Sequence, residues 1–212
     1  MAPRIHEHSE ELTPRQQVVL TAALDLLVEA GDGLTMTAVA RRASCSKETL
    51  YKWFGDRDGL LTATVQWQAA KVRVPAVDRR TLDPASLKAS ITQFALDLLG
   101  TIAAKTSVTL NRLAVSHATE DGGLGAIVLE NGRFTMGKRL KPVLEAGRDA
   151  RLLRFDNAEA AFRTFFGLVV RDVQIRLLLG EEMRLTARDI EQDAERATAQ
   201  FLELYGTEAK AR

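Results

Sequence analysis

Cysteine is nearly missing from this 212-residue chain, where Cys45 stands alone. No intramolecular disulfide and no cysteine-built metal site can form, which fits a reducing compartment. Charge of one sign is missing too. Lys and Arg number 29 against 28 Asp and Glu, a formal net charge of +1. That excludes a polybasic chain coating nucleic acid by bulk charge, and an acidic solvating chain as well. No apolar run approaches the roughly 18 residues of a membrane span. Residues 1–12 are polar and lack the apolar core of a secretory signal. The expectation is a cytoplasmic protein with no membrane partner. His6, His8 and His117 lie apart, so no metal set forms, and no cofactor is expected. There is no glycine-rich phosphate loop after a strand, no nucleophile elbow and no carboxylate pair that stands out. A helical enzyme is therefore the remote alternative. What the chain does have is 46% hydrophobic residues, enough to bury a core.

Apolar spacing is helical almost throughout and period-two alternation is nowhere sustained, so the expected fold is all-α. In residues 14–30, Val19, Ala22, Ala23, Leu26 and Leu27 share one face. Thr13 caps that helix, Pro14 opens it and Gly31 stops it. Short helices are expected at 36–43 and 47–54, and a fourth from 56 to 74, stopped by Pro75. Asp83 and Pro84 open the next, with Leu87, Ile91, Phe94, Leu98 and Ile102 on one side. Residues 106–119 read as helix, broken by Gly122 and Gly123. A long segment at 124–146 contains Pro142, which should kink it. Asp156 with Glu159 reads as a capping box for a helix reaching Leu179, and Thr186 with Asp189 opens the last helix. There Ile190, Ala194, Ala197, Phe201 and Leu204 form a heptad-like seam.

The informative stretch is Leu34 to Leu61. Thr35 caps a short helix carrying Val39, Ala40 and Ala43. Ser44 and Cys45 turn the chain, and Ser46 caps a second short helix in which Leu50 and Phe54 face inward. Two short helices joined by such a turn form a helix-turn-helix, whose second helix enters the DNA major groove. Lys47 and Lys52 suit phosphate charges, and Tyr51 and Thr49 suit phosphate oxygens. Arg57 is placed to hold the backbone on the far side. Thr35, Thr37 and Ser46 complete the candidate DNA-binding set. Trp53 reads as packing under the motif, and Cys45 as a small apolar group.

These residues resemble the DNA-binding domain of the TetR family of bacterial transcriptional regulators. Ala40, Ala43, Ser46, Lys47, Thr49, Leu50, Tyr51, Phe54, Arg57, Leu60 and Leu61 match the family pattern over roughly residues 14 to 65. Two positions depart from it. The usual turn glycine is Ser44, and the acid early in the first motif helix is Ala38, which removes the reciprocal half of a capping box. The resemblance implies a flexible tail (1–12), a three-helix DNA-binding domain (13–60), a helical effector-binding and dimerisation domain (61–206) and a C-terminal tail (207–212). It also implies a homodimeric repressor, released from an inverted-repeat duplex operator by a small, mostly apolar effector. An activator, or a ligand-independent DNA-binding protein of the same fold, is the alternative.

For the effector pocket the candidate residues are Trp67, Phe94, Leu98, Asn111, Arg112, His117, Phe134, Phe162 and Phe166. The segment around 158–179 is apolar on more than one side, which pairing with a second copy would cover. Phe165, Val169, Val173, Leu177, Ile190, Ala194, Ala197 and Phe201 are the candidate dimer residues. Charge is also unevenly spread. Arg41, Arg42, Lys47, Lys52 and Arg57 face only Glu48 and Asp56 in the motif, while residues 181–208 are acidic. The near-zero total averages a small cationic head and an acidic far end.

Overall fold

The computed structural model describes residues 12–30, 34–75, 77–116, 118 and 123–207. These form helices α1 (Pro14–Ala30), α2 (Met36–Arg42), α3 (Lys47–Phe54), α4 (Arg57–Ala69), α5 (Pro84–Ala103) and α6 (Lys105–Ser116). Then come α7 (Gly123–Val128), a π-helical segment (Leu129–Phe134), α8 (Thr135–Asp149), α9 (Ala158–Val170), α10 (Val173–Leu178) and α11 (Ala187–Tyr205). Among the described residues there is no strand beyond one isolated bridge, Leu153 to Gly206. The fold is all-α. The expected glycine stop at Gly31, most of both tails and Gly122 lie outside the described residues.

Local signals set most helix starts. Thr13 Oγ1 accepts from the Gln16 N–H while Gln16 Oε1 accepts from the Thr13 N–H, a reciprocal cap. Asp83 accepts from Ser86 N at 2.7 Å, with Pro84 as the first helical residue. Thr186 and Asp189 form a complete capping box on α11. Asp189 is held below the usual carboxylate range by its bonds to the Thr186 hydroxyl and N–H.

Four boundaries differ from the sequence expectation. Helix α4 stops at Ala69 rather than 74, because the Arg139 guanidinium of α8 donates to the carbonyls of Ala69 (2.5 Å) and Val72 (3.1 Å). A side chain on the last carbonyls is a helix stop. The cap of α9 is Asn157, which accepts from Ala160 N at 3.0 Å; Glu159 instead pairs with Lys141. The long helix expected to reach Leu179 is two helices. Arg171 breaks it at φ +44°, its guanidinium on Asp193 of α11 at 2.5 Å. The long helix expected at 124–146 is interrupted by the π turn, though α8 itself continues through Pro142.

Two apolar cores result. The lower one joins α1 to α4 through Leu20, Leu27, Val39, Leu50, Leu60 and Leu61, and takes in Val65 of α4 and Leu110 and Leu113 of α6. Residues 13–60 therefore do not close their core alone. The upper core holds Phe94, Phe162, Phe165 and Phe201 fully buried. Phe165 meets Phe94 and Phe201, with centroids 6.2 and 5.1 Å apart, and Phe201 leads on to Tyr205.

This chain of rings covers the expected dimer residues from within the same chain. Phe165, Val169, Val173, Leu177, Ala194, Ala197 and Phe201 are all buried within the single subunit, and Ile190 is half-buried there. Helix α11 lays its apolar stripe on α5 and α9 of its own chain, because heptad spacing marks a face that is covered and not whose chain covers it. Phe201→Ala should lower the unfolding free energy by about 3–5 kcal/mol in chemical denaturation. The folded variant should sediment in the same oligomeric state as the parent.

Candidate functional site

Helix α2 begins with Thr35 Oγ1 accepting from Ala38 N at 3.1 Å, and the missing acid at Ala38 leaves that cap one-sided. The chain then turns at Ser44, whose φ is +51°, in the left-handed region that favours glycine. Two hydrogen bonds hold the turn: Cys45 N to Ala40 O at 2.9 Å, and Arg15 Nη2 of α1 to Ser44 O at 2.6 Å. Ser46 Oγ then accepts from Thr49 N at 3.1 Å and opens α3. At the far end, Gly59 lets α4 pass close under α3; a Cβ there would sit 1.9 Å from the Phe54 carbonyl oxygen.

With Leu50 fully buried, α3 turns one face outward. Lys47, Glu48, Tyr51 and Lys52 are exposed and Thr49 is half-buried. Thr35, Thr37 and Ser46 are exposed beside them, so two helix N-termini and two lysines share a surface suited to phosphate. The Glu48 carboxyl is held low by hydrogen bonds to its own backbone N–H and the Ser46 hydroxyl. It stays anionic on that face. Two of the motif's cations are tied to the fold. Arg42 pairs with Glu29 of α1 through both guanidinium nitrogens, and Arg57 Nε donates to Leu34 O at 3.1 Å. Trp53 and Cys45 pack against the lower core, as the spacing suggested.

Above α4 lies a cavity of about 380 Å³. Its wall includes Val65, Gln68 and Ala69 of α4, Val72 just beyond it, Leu98 and Ile102 of α5, and Leu110 and Asn111 of α6. The π segment adds Leu129 and Arg133, α8 adds Met136, and Phe166, Gln174 and Leu178 close the side. An enclosure of this size with a few polar groups is the usual form of a small-molecule site.

Of the nine residues expected at a pocket, the cavity brings together Leu98, Asn111 and Phe166. Phe94 and Phe162 lie one layer away, fully buried in the upper core. Phe134 is exposed. Trp67 packs against the lower core, with Lys71 Nζ 5.4 Å from its ring centroid. The Arg112 guanidinium is bonded to the carbonyls of Leu177 and Leu178 at the end of α10. His117 lies outside the described residues. Among the wall residues not anticipated are Gln68 and Arg133. Gln68 carried a signal, since it interrupts the buried register of Leu61, Val65 and Ala69. Arg133 carried none; only the π turn brings it inward, its guanidinium 4.7 and 4.1 Å from the ring centroids of Phe162 and Phe166. Burial holds its pKa below the usual arginine value.

Comparisons with known proteins agree with this arrangement. Residues 19–64 match the family described as bacterial regulatory proteins, tetR family. Residues 89–207 match the AefR-like transcriptional repressor C-terminal domain. The chain is similar to a TetR transcriptional regulator from Agrobacterium tumefaciens, with 46% identity, 93% of this chain and 97% of that one covered, and a TM-score of 0.78. It also resembles the Flavonoid-responsive Regulator FrrA, with 27% identity, 92% and 98% coverage, and a TM-score of 0.67. The uncharacterized HTH-type transcriptional regulator YdeS of Bacillus subtilis (strain 168) is 41% identical over 46 residues, 21% of this chain. That match spans 23% of YdeS.

The strained turn offers a direct check on the motif. Ser44→Gly should raise the unfolding free energy by up to about 1 kcal/mol, relief of the side chain's left-handed strain exceeding the extra freedom of the unfolded glycine. Thermal or urea unfolding of both proteins measures it.

Proposed function

The chain belongs to the TetR family of bacterial regulatory proteins, and on that premise we propose a homodimeric repressor that leaves an inverted-repeat operator when a small, mostly apolar effector binds. It is a DNA-binding regulator and not an enzyme. The observation that carries the reading is the outward face of α3, where Lys47, Tyr51 and Lys52 stand exposed over a buried Leu50. Two copies would set these helices in successive major grooves about 34–36 Å apart. The AefR-like repressor match supports repression over activation. The flavonoid response of FrrA supports a small-molecule input. Work in the cytoplasm follows from the same role. Among the described residues no helix is long and apolar enough to cross a membrane.

The pairing surface falls to the outward faces of α9 and α11, where the small Ala160 and Gly167 and the exposed Leu204 lie, since the apolar seam is covered within the subunit. Coupling runs through α4. Its C-terminal half forms cavity wall, and its first turn lies under the end of α3. A ligand that fits one orientation of α4 better than another shifts the two reading heads, by no more than its difference in affinity for the two states.

Tyr51→Ala combined with Lys52→Ala should weaken binding to an operator selected from random duplexes by at least about tenfold. The slope of log affinity against log salt should fall by about one for the lost lysine–phosphate contact, with circular dichroism and sedimentation unchanged. Undiminished affinity in a mobility-shift titration would remove α3 from the interface.

A further inference from the structure

Two side chains in the cavity wall carry polar atoms with no hydrogen-bond partner among the described residues. Gln68 is 5% exposed, and its Nε2 is buried with no hydrogen-bond partner among the described residues. It lies on the α4 wall, between Val65 and Ala69. Opposite in chemistry to the apolar lining is Arg133. It has no ion pair or hydrogen bond among the described residues, and its guanidinium is stacked against both Phe162 and Phe166. Such stacking fixes the plane of the guanidinium and leaves its edge N–H groups free to donate.

Among the described residues no Asp or Glu lines the cavity. The acid that acts on Arg133 is Glu159, and that carboxylate is bonded to Lys141 at 2.9 Å. Arg163 adds a second positive charge nearby. A cationic ligand would meet repulsion, and a neutral apolar one would bury the guanidinium unpaired. A dianionic phosphate would need more than one cation in so apolar a wall. A carboxylate matches the planar guanidinium in charge and shape. As for size, 380 Å³ is the volume of about a dozen waters at ~30 Å³ each.

We propose that the cavity takes an amphipathic carboxylic acid of about a dozen non-hydrogen atoms, its carboxylate paired with Arg133 and accepting from Gln68 Nε2. The apolar body lies among the side chains of α5, α6 and α8. The assignment rests on the effector reading and gives it a ligand class.

Two size-matched pairs of probes test it by calorimetric titration of the full chain: decanoate against decanol, and naphthoate against naphthalenemethanol. At least one acid should bind about ten- to a hundredfold tighter than its alcohol. Arg133→Met should erase that preference and keep the alcohol's affinity. Arg133→Lys should retain most of the preference, and so serves if the Met variant fails to fold. Gln68→Leu should weaken the acid severalfold, and Leu98→Trp, which fills the cavity, should abolish binding of both. An alcohol that matches its acid, or a preference that survives Arg133→Met, overturns the anion assignment. Silence from all four compounds overturns the ligand class. Acid binding with the expected variant pattern but no change in operator affinity supports the anion site and refutes the effector reading instead.

Discussion

Arg139 reaches from α8 to the carbonyl of Ala69, the last residue of α4, and to that of Val72 just beyond it, and much of the molecule's organisation follows from that one pair of hydrogen bonds. The end of a helix leaves carbonyls that its own backbone cannot satisfy. Here the Ala69 carbonyl accepts from Val72 N and also from the Arg139 side chain, so the C-terminal end of α4 is anchored to α8. The same helix has its other end beneath α3 and its flank against the cavity. A rigid element held at both ends transmits displacement instead of absorbing it, which is the physical requirement for linking a buried ligand to an exposed reading face.

Helix α6 gives the link a second strand. Leu110 serves the lower core and the cavity at once, and Arg112 ties α6 to the end of α10 through two backbone carbonyls. Helices α4 and α6 thus both join the two cores, each with a cavity-lining residue and a polar tether. The buried chain of rings from Phe94 through Phe165 and Phe201 to Tyr205 provides the stiff background for these elements, as close packing in a protein interior resists gradual deformation.

How far the residues alone reveal this depends on the range of the interaction. Caps and turns are local, so Thr13, Asp83, Ser46 and the Thr186–Asp189 pair were legible, as was the strained angle at Ser44. The whole α2–turn–α3 unit is a local pattern of this kind. The cavity is not. Phe94 and Leu98 stand one turn apart on the same buried face of α5, yet only Leu98 meets the void. Periodicity reports that a face is covered, and a gap behind it depends on side chains from many other segments. The same limit applies to α11, whose seam looks identical whether its own chain or another covers it. The break at Arg171 has no glycine or proline to mark it; it rests on an ion pair to Asp193, 22 residues away.

The π turn at 129–134 is, in chain length, one surplus residue. Regular helix advances about 100° per residue, so a chain shorter by one there would close as ordinary α-helix. With Phe134, between Arg133 and α8, as the residue removed, Arg133 would swing more than a quarter of the circumference away from the cavity, while α8 and the rings of Phe162 and Phe166 stayed in place. The charge of the site is therefore stored in helical phase as well as in residue type. In a lineage of such proteins, a one-codon deletion would change which molecules the cavity accepts while the cores and the reading helix stayed the same.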